Sequence, residues 1–339
     1  MDYYFVGYVN KDKMHTITDE QARILTHLNV AFAPMVGDIT VMVLEDAQIS
    51  ELKRIQLANP NLAVLVSTGG GNNHGHGEAT KTEIGMTKLV ASTMDIVKRY
   101  NLAGIDCDWE FPGDTGILKE KYQHTALFAA YRKALDTLGS TNGKKYWLTT
   151  AAGSGQWYLD RTEIHMSHQY LDFINLMTYD SNTGGKQIGH HTNLYEPVGK
   201  DIPAHSADHH IRLMVNAGVP IEKILMGAAF YSQQWNQVPD IDHGYRQVSP
   251  DLNNWGPGYT DIVEQYENKE GYVKYFDEAA KAPYLFNGST FFSYDDQTSV
   301  KYKCDYVKTH HMAGIFYWVH DADRKGELFE VIAKNIRSI

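Results

Sequence analysis

Short apolar runs alternate with segments of helical spacing along most of this chain. Eight such runs are candidate strands, at residues 4–9, 28–33, 63–67, 104–110, 147–152, 173–179, 224–230 and 314–318. Strands that are apolar throughout and separated by helices indicate a parallel sheet covered on both faces. Eight of these units predict an α/β fold, the (β/α)8 or TIM barrel, and polar residues at many strand C-termini favour the barrel over an open doubly wound sheet.

One segment, residues 236–288, breaks this alternation with an irregular mixture of Gly, Pro, Asn and Tyr. It is too long for a bare loop. We interpret it as a small α+β insertion between strands seven and eight, with a helix near residues 271–280. The predicted barrel then comprises residues 1–235 and 289–339.

Charge and composition limit the classes of partner. The 339 residues carry a net charge of −10, from 31 basic and 41 acidic side chains. This balance argues against nucleic acid and anionic membranes as partners, and no apolar run reaches the roughly 18–20 residues of a membrane span. The N-terminus lacks the features of a secretion signal. We expect a monomer that is exported with its signal absent from this sequence, although an intracellular location stays open.

Three carboxylates stand at every second position in one apolar run: Asp106, Asp108 and Glu110. Alternate side chains of a strand share one face, so this spacing aims all three acids the same way. Like charges that close together cannot all ionise cheaply, and one of them should keep a proton near neutral pH. A protonated carboxyl beside ionised ones is what cleavage of a sugar acetal needs.

The segment around these acids resembles the signature D-G-x-D-x-D-x-E of glycoside hydrolase family 18, the chitinase family. Here it reads A-G-I-D-C-D-W-E over residues 103–110, with Ala103 in place of the first acid. Further motifs resemble those of the family in order along the barrel, at residues 67–70, 177–180, 227–232, 292–296 and 314–318. Ordered similarity over some 300 residues is far more specific than one acidic motif.

The resemblance implies a retaining, substrate-assisted mechanism, in which the substrate's own acetamido group attacks and gives an oxazolinium ion. Glu110 would be the acid and base, and Asp108 would orient the acetamido group. Asp106 would share a proton with Asp108, and Tyr179 would donate to the acetamido oxygen. Losing the acid at Ala103 should alter the proton balance on Asp106 without abolishing cleavage.

The resemblance also implies a sugar cleft with no cofactor and no metal, and with chitin or N-acetylglucosamine oligosaccharides as substrate. Trp318 would stack beneath the central sugar, and Asp180 would contact it nearby. The other candidate substrate-binding residues are Met177, Tyr231, Trp109, Tyr8, Phe32, Gly70 and Trp235. The outer sugar subsites could use Trp157, Trp235 and Trp255, for which local packing is an equal alternative. An endo-β-N-acetylglucosaminidase acting on N-glycans and an inactive chitin-binding lectin are the competing interpretations.

Overall fold

A closed parallel barrel forms the centre of the molecule, in a computed structural model that describes residues 3–71, 73–116, 119–198 and 205–336. Its strands are β1 (Tyr4–Asn10), β2 (His27–Ala33), β5 (Ala63–Gly69), β6 (Gly104–Asp108), β7 (Trp147–Ala152), β8 (Phe173–Leu176), β9 (Ile224–Ala229) and β15 (Gly314–Trp318). They are hydrogen-bonded in the order β1-β15-β9-β8-β7-β6-β5-β2, so each strand lies beside its neighbours in sequence. The predicted (β/α)8 barrel is confirmed.

Most of the helices follow barrel strands and cover the outside of the sheet. They are α1 (Asp19–Ile24), α2 (Asp46–Ala58), α3 (Gly75–Ala79), α4 (Glu83–Arg99), α5 (Glu120–Asn142), α6 (Gln156–Arg161), α7 (Ile164–Ser167), α8 (Ala207–Asn216), α9 (Tyr259–Asp261), α10 (Gln297–Thr309) and α11 (Glu327–Ile336). A short hairpin of β3 (Met35–Val36) and β4 (Ile39–Thr40) follows β2. Residues 1, 2 and 337–339 of the predicted barrel lie outside the described residues.

A second sheet follows the seventh barrel strand, β9. It consists of β10 (Tyr231–Trp235), β11 (Asn254–Gly258), β12 (Val273–Asp277), β13 (Ala282–Phe286) and β14 (Phe291–Ser293). These strands pair in the order β11-β10-β14-β13-β12. The sheet thus includes strands on either side of the predicted range 236–288, and the division into two domains stays a prediction.

The helix expected near residues 271–280 is wrong, because this segment contains β12. Its five residues pair antiparallel with β13, from Val273 opposite Phe286 to Asp277 opposite Ala282. Tyr275 stacks on Tyr284 directly across the pair, with ring centroids 5.1 Å apart. Cross-strand aromatic contacts of this kind stabilise a hairpin, and the Val, Tyr and Phe of β12 are residue types that favour strands.

The register of three adjacent barrel strands brings polar residues to one level of the barrel interior. Ser67 on β5 lies opposite Asp106 on β6, and Asp106 lies opposite Thr149 on β7. Parallel neighbours at one level point the same way, so all three side chains face inward together. This level forms the base of the site described next.

Candidate active site

The alternation of β6 directs its two acids into the barrel and its cysteine outward. Asp106 and Asp108 are both almost fully buried. Cys107, between them, is buried against the surrounding helices, and its Sγ lies 3.8 Å from Nε2 of His76. The acids and the cysteine therefore lie on opposite faces of the strand.

Asp106 is held by hydrogen bonds from four strands. Its Oδ2 accepts from the Tyr8 and Ser67 hydroxyls, each at 2.8 Å. Its Oδ1 accepts from Thr149 at 2.6 Å and from the Asn175 amide at 3.3 Å. Burial raises the pKa of Asp106, while these donors oppose the rise by stabilising the carboxylate. The four donors fix the orientation of the Asp106 carboxylate beneath its neighbours.

Among the residues that the structure describes, Asp108 has no comparable set of partners, and its Oδ1 is buried without a hydrogen bond to any of them. Burial, followed by the charges of Glu110 and Asp106, raises the pKa of Asp108 well above its usual value. A carboxyl group in this position retains a proton when its neighbours are ionised. Asp108 can therefore donate a hydrogen bond or exchange a proton within the acidic set.

Glu110 follows β6 at the rim of the barrel and is partly exposed. Burial, and after it the charge of Asp180, raise the pKa of Glu110 to about 7, although the Gly71 backbone donates a hydrogen bond to the carboxylate. A carboxyl group with a pKa near neutrality can both give and take a proton under ordinary conditions. Glu110 thus has the acidity required of a general acid and base.

Asp180, on the loop after β8, faces Glu110 and is anchored by the second sheet. Its Oδ1 accepts from the Tyr231 hydroxyl and from the Gln233 side chain, each at 2.7 Å. His191 lies 3.5 Å away through Nδ1. Burial acts to raise the pKa of Asp180, but these three neighbours together lower it. Asp180 is accordingly a fixed negative charge beside the acid.

Tyr179 is buried beside Asp180, and its ring lies edge-on to that of Tyr231 at 6.0 Å. Burial, and next the charge of Asp180, raise the pKa of Tyr179 well above 10. The phenol keeps its proton over the whole ordinary pH range. It can therefore act as a neutral hydrogen-bond donor.

Trp318 ends β15 and stacks on Phe32, with ring centroids 5.3 Å apart and planes 20° from parallel. Tyr8 lies against the same indole at 5.8 Å. Gly70 adopts a φ of +87°, and a Cβ there would lie 2.7 Å from the Phe32 ring. Only glycine leaves room for this ring. The aromatic group of Trp318, Phe32 and Tyr8 thus comes from three adjacent strands, β15, β2 and β1, on one side of the barrel.

A cavity of about 710 Å³ opens on the other side of Glu110. Met177, Tyr179 and Asp180 line it together with the loop after β7 and one face of α8. Its volume lies within the range of about 300–1,000 Å³ that is typical of small-molecule sites. The structure thus combines this aromatic group, the acidic ladder (Asp106, Asp108 and Glu110) and a cavity at the C-terminal end of the barrel. TIM-barrel enzymes have their active sites at this end.

Two predicted substrate-binding residues do not reach this region. Trp109 points outward from β6 and is buried between His76, on which it stacks at 5.3 Å, and His124. Its odd position in the alternation explains this orientation. Trp235 is fully buried in the apolar cluster of the second sheet, against Phe291. Neither indole is available to stack on a ligand.

Several residues of the site were missed in the sequence. Thr149 and Asn175 are lone polar positions in apolar strands, a pattern that should have indicated contact with the acids inside the barrel. His191 and Gln233 reach Asp180 from a loop and from the second sheet. No local pattern marks these two, because their positions depend on how distant segments fold together.

Ala103 lies away from the acids. It precedes β6 and lines a separate cavity of about 600 Å³ together with Lys53, Lys144 and Lys145. Ala103 stands three positions before Asp106, which is an odd offset, so in an extended segment the two side chains point to opposite faces. The expected effect of this position on the proton balance of Asp106 has no structural basis.

Two further findings concern metals and membranes. Among the residues that the structure describes, no group of three or more His, Cys, Asp or Glu side chains could hold a metal ion. Within the same residues, no helix is both long enough and apolar enough to cross a membrane.

Comparison with known proteins assigns the family. The sequence profile described as Glycosyl hydrolases family 18 matches residues 4–323. This chain belongs to glycosyl hydrolases family 18. Within family 18, the solved structure of an N-acetylglucosaminidase from Paenibacillus barengoltzii is similar, with a TM-score of 0.95 and 40% identity over 98% of this chain and 100% of that one.

Curated members of family 18 are also similar to this chain. Chitinase A1 of Niallia circulans is 32% identical over 306 residues, which cover 83% of this chain and 43% of that protein. Chitinase A of Pseudoalteromonas piscicida is 30% identical over 324 residues, which cover 81% and 39% respectively. The chain thus spans about two-fifths of the length of these two relatives.

Proposed function

We propose that this protein is a retaining glycoside hydrolase that cleaves β-1,4 linkages between N-acetylglucosamine residues of chitin or chitooligosaccharides. The observation that carries the proposal is Glu110, a carboxyl with a pKa of about 7 at the rim of a cavity and above two buried aspartates. Membership of glycosyl hydrolases family 18 supports the same chemistry.

In the proposed mechanism, Glu110 gives its proton to the glycosidic oxygen as the bond to C1 breaks. The carbonyl oxygen of the substrate's acetamido group attacks C1 from the other face and forms an oxazolinium ion. Water then adds to C1 and opens this ring, while Glu110 takes a proton from the water. The product keeps the anomeric configuration of the substrate.

The neighbouring residues would serve the acetamido group. Asp108 accepts its N–H and stabilises the positive charge of the oxazolinium ion, and Tyr179 donates to its oxygen. Asp106, fixed by its four donors, is the proton partner of Asp108. Asp180 and Tyr231 contact the same sugar, and Trp318 supports the sugar ring with Phe32 and Tyr8 beside it. Gly70 makes room for Phe32, and Met177 lines the wall.

Removal of single sugars is a second candidate for the size of the product. The N-acetylglucosaminidase of Paenibacillus barengoltzii matches this chain over its entire length, whereas the two bacterial chitinases are more than twice as long as their matched parts. The same catalytic groups serve either product size. We further propose an exported, monomeric enzyme without a nucleic-acid or membrane partner.

A product profile tests the proposal. Purified protein is incubated with N-acetylglucosamine hexamer, and oligomer length and anomer are followed by chromatography over the first minutes. The proposal requires β-anomer at each new reducing end, with dimer for chitobiose release and monomer for the second candidate. New α-anomer, or an intact hexamer, would contradict it. Cleavage of an N-glycan core but not of the hexamer would favour the endo-β-N-acetylglucosaminidase alternative.

A further inference from the structure

Asp180 has a backbone conformation that is uncommon outside glycine. Its φ is +56°, in the left-handed region. A conformation of this kind persists only where the surrounding contacts impose it. The charge of Asp180 is, after burial, the main influence on the pKa of Glu110. The contacts that fix Asp180 therefore bear on the acidity of the proposed catalytic group.

His191 supplies two of the contacts that impose this conformation. Its Nδ1 accepts the backbone N–H of Asp180 at 3.4 Å, and its carbonyl oxygen accepts the N–H of Ser181 at 3.0 Å. The same Nδ1 lies 3.5 Å from Oδ1 of Asp180. One fully buried imidazole thus contacts both the backbone and the carboxylate of Asp180.

His191 is itself attached to the second sheet. Its backbone N–H donates to Oγ of Ser293 on β14 at 2.9 Å, and its ring packs against Tyr231 with centroids 5.2 Å apart. Ser293 lies directly opposite Gln233 in the antiparallel pair of β14 and β10. Gln233 in turn donates to Asp180. These contacts close a ring of four residues: Asp180, Gln233, Ser293 and His191.

The segment that carries His191 is held on both sides. Thr192, the next residue, donates to Asp295 at 2.8 Å. The carbonyl oxygen of His190, the preceding residue, accepts from the Asn182 amide at 2.7 Å. Because both neighbours are fixed, the fold sets the position of this imidazole independently of the carboxylate that it contacts.

The other titratable groups near the pair do not offset the charge of Asp180. Two acids and two phenols face Asp180 or Glu110: Asp108, Asp114, Tyr179 and Tyr231. Burial, and next the charge of Asp180, raise the pKa of both phenols well above 10, so they stay neutral. Three histidines line the same cavity: His205, His209 and His210. Among the described residues of this lining there is no Lys or Arg.

We propose that His191 is a positioning residue, which holds Asp180 in its left-handed conformation and thereby keeps its carboxylate directed toward Glu110. The inference rests on the proposed function for its effect on catalysis, whereas the contacts themselves need no substrate. Without the imidazole, Asp180 can leave this conformation or take up a proton. In either case Glu110 loses part of the neighbouring negative charge, and its carboxyl group becomes more acidic.

The falling limb of the pH profile, where kcat/KM declines as pH rises, measures this effect. His191→Phe keeps the packing of the ring against Tyr231 but has no nitrogen. We expect its limb on N-acetylglucosamine tetramer to lie lower by at least about half a pH unit, because a close charge shifts a pKa by about one unit or more. In an Asp180→Asn background, the same change should move the limb no further, because the two residues act as a unit.

Two amide variants test whether Nδ1 is the atom that matters. The amide of His191→Asn lies near the place of Nδ1 and should recover part of the shift, whereas the amide of His191→Gln reaches the place of Nε2 and should not. His190→Phe is the matched control, because Nε2 of this buried neighbour contacts Asp277 at 3.3 Å. It should leave the limb in place. Circular dichroism checks that each variant is folded.

An unmoved limb in folded His191→Phe would overturn the positioning role, and so would an equal further shift in the Asp180→Asn background. If His191→Phe does not fold, equal limbs for His191→Asn and His191→Gln would overturn it. A folded wild-type protein that does not cleave the tetramer would overturn the proposed function instead. Titration of the Glu110 carboxyl carbon, followed by NMR in isotope-labelled protein and assigned with Glu110→Gln, then still tests His191 without substrate, and should move to lower pH in His191→Phe.

Discussion

Asp180 and Glu110 face the same cavity, and the fixed charge of Asp180 is, after burial, the main cause that raises the pKa of Glu110 to about 7. The two residues follow different strands, Glu110 after β6 and Asp180 after β8, and Asp180 keeps its charge through donors on the second sheet. The acidity of the proposed catalytic group is therefore set partly by a residue 70 positions away.

This relationship predicts a specific pH dependence. Glu110 must be protonated to act as acid, so kcat/KM should fall as pH rises through about 7. Asp180→Asn removes a negative charge that disfavours ionised Glu110, so the falling limb should move to lower pH. Initial rates on N-acetylglucosamine tetramer between pH 4 and 9 give the pH at which activity falls. This value reports the coupled carboxylates as a set. Asp136→Asn, at an exposed position on α5, is the control. If Asp180→Asn leaves the pH of the falling limb unchanged, the coupling is refuted.

Glu110→Gln should abolish hydrolysis while leaving the fold and sugar binding intact. The amide fills nearly the same space but cannot transfer a proton, and a general acid contributes about 10²–10⁴-fold to the rate. Steady-state kinetics on the hexamer, with titration calorimetry for binding, would test both parts. Glu330→Gln on α11, where the side chain is 63% exposed, provides the control. A folded Glu110→Gln protein that keeps more than about 1% of the rate is incompatible with the assigned role.

Ala103→Asp restores the acid of the family signature and should not change the pH profile. The new side chain would stand three residue steps from Asp106, or about 10 Å along the strand, and the two side chains would face opposite ways. We expect kcat/KM within about twofold of wild type, as for other substitutions away from the site. A displaced pH limb would mean that this position communicates with the acids after all.

Lys303→Met should destabilise the protein strongly. Lys303 on α10 is fully buried and donates to Asp295 and to Thr192, each at 2.6 Å. Asp295 also accepts from the backbone N–H of Ala229 at the end of β9. Removing one partner of a buried pair leaves an uncompensated charge and costs about 3–5 kcal/mol.

Urea unfolding, followed by circular dichroism, measures this cost. Lys301→Met on the same helix is a matched control, since its pair with Asp305 is exposed and such pairs contribute little. We expect a lower midpoint for Lys303→Met and an unchanged one for Lys301→Met. Equal midpoints for the two variants would exclude a stabilising role for the buried pair.

The barrel and the acidic ladder were predictable because they depend on local periodicity. Apolar runs separated by helices define the strands, and alternation alone separates Asp106 and Asp108 from Cys107. The same rule, applied strictly, would have placed Trp109 outside the site. Trp109 was assigned to the site because it stands between Asp108 and Glu110 in the motif, but a residue between two inward-facing acids points outward.

Other features depend on contacts between distant segments. Trp235 directly precedes the irregular segment 236–288, and only the pairing of the second sheet buries it. His210 reaches the cavity because α8 packs beside the loop after β7, which no local pattern reveals. The hairpin formed by β12 and β13 likewise includes aromatic contacts between two strands.

The second sheet supplies two of the donors to Asp180, Tyr231 and Gln233, from a single strand. Removal of that sheet to obtain a smaller catalyst would also remove these donors, and would thereby change the pKa of Glu110. Grafts of the bare barrel into other scaffolds should therefore carry β10 with them.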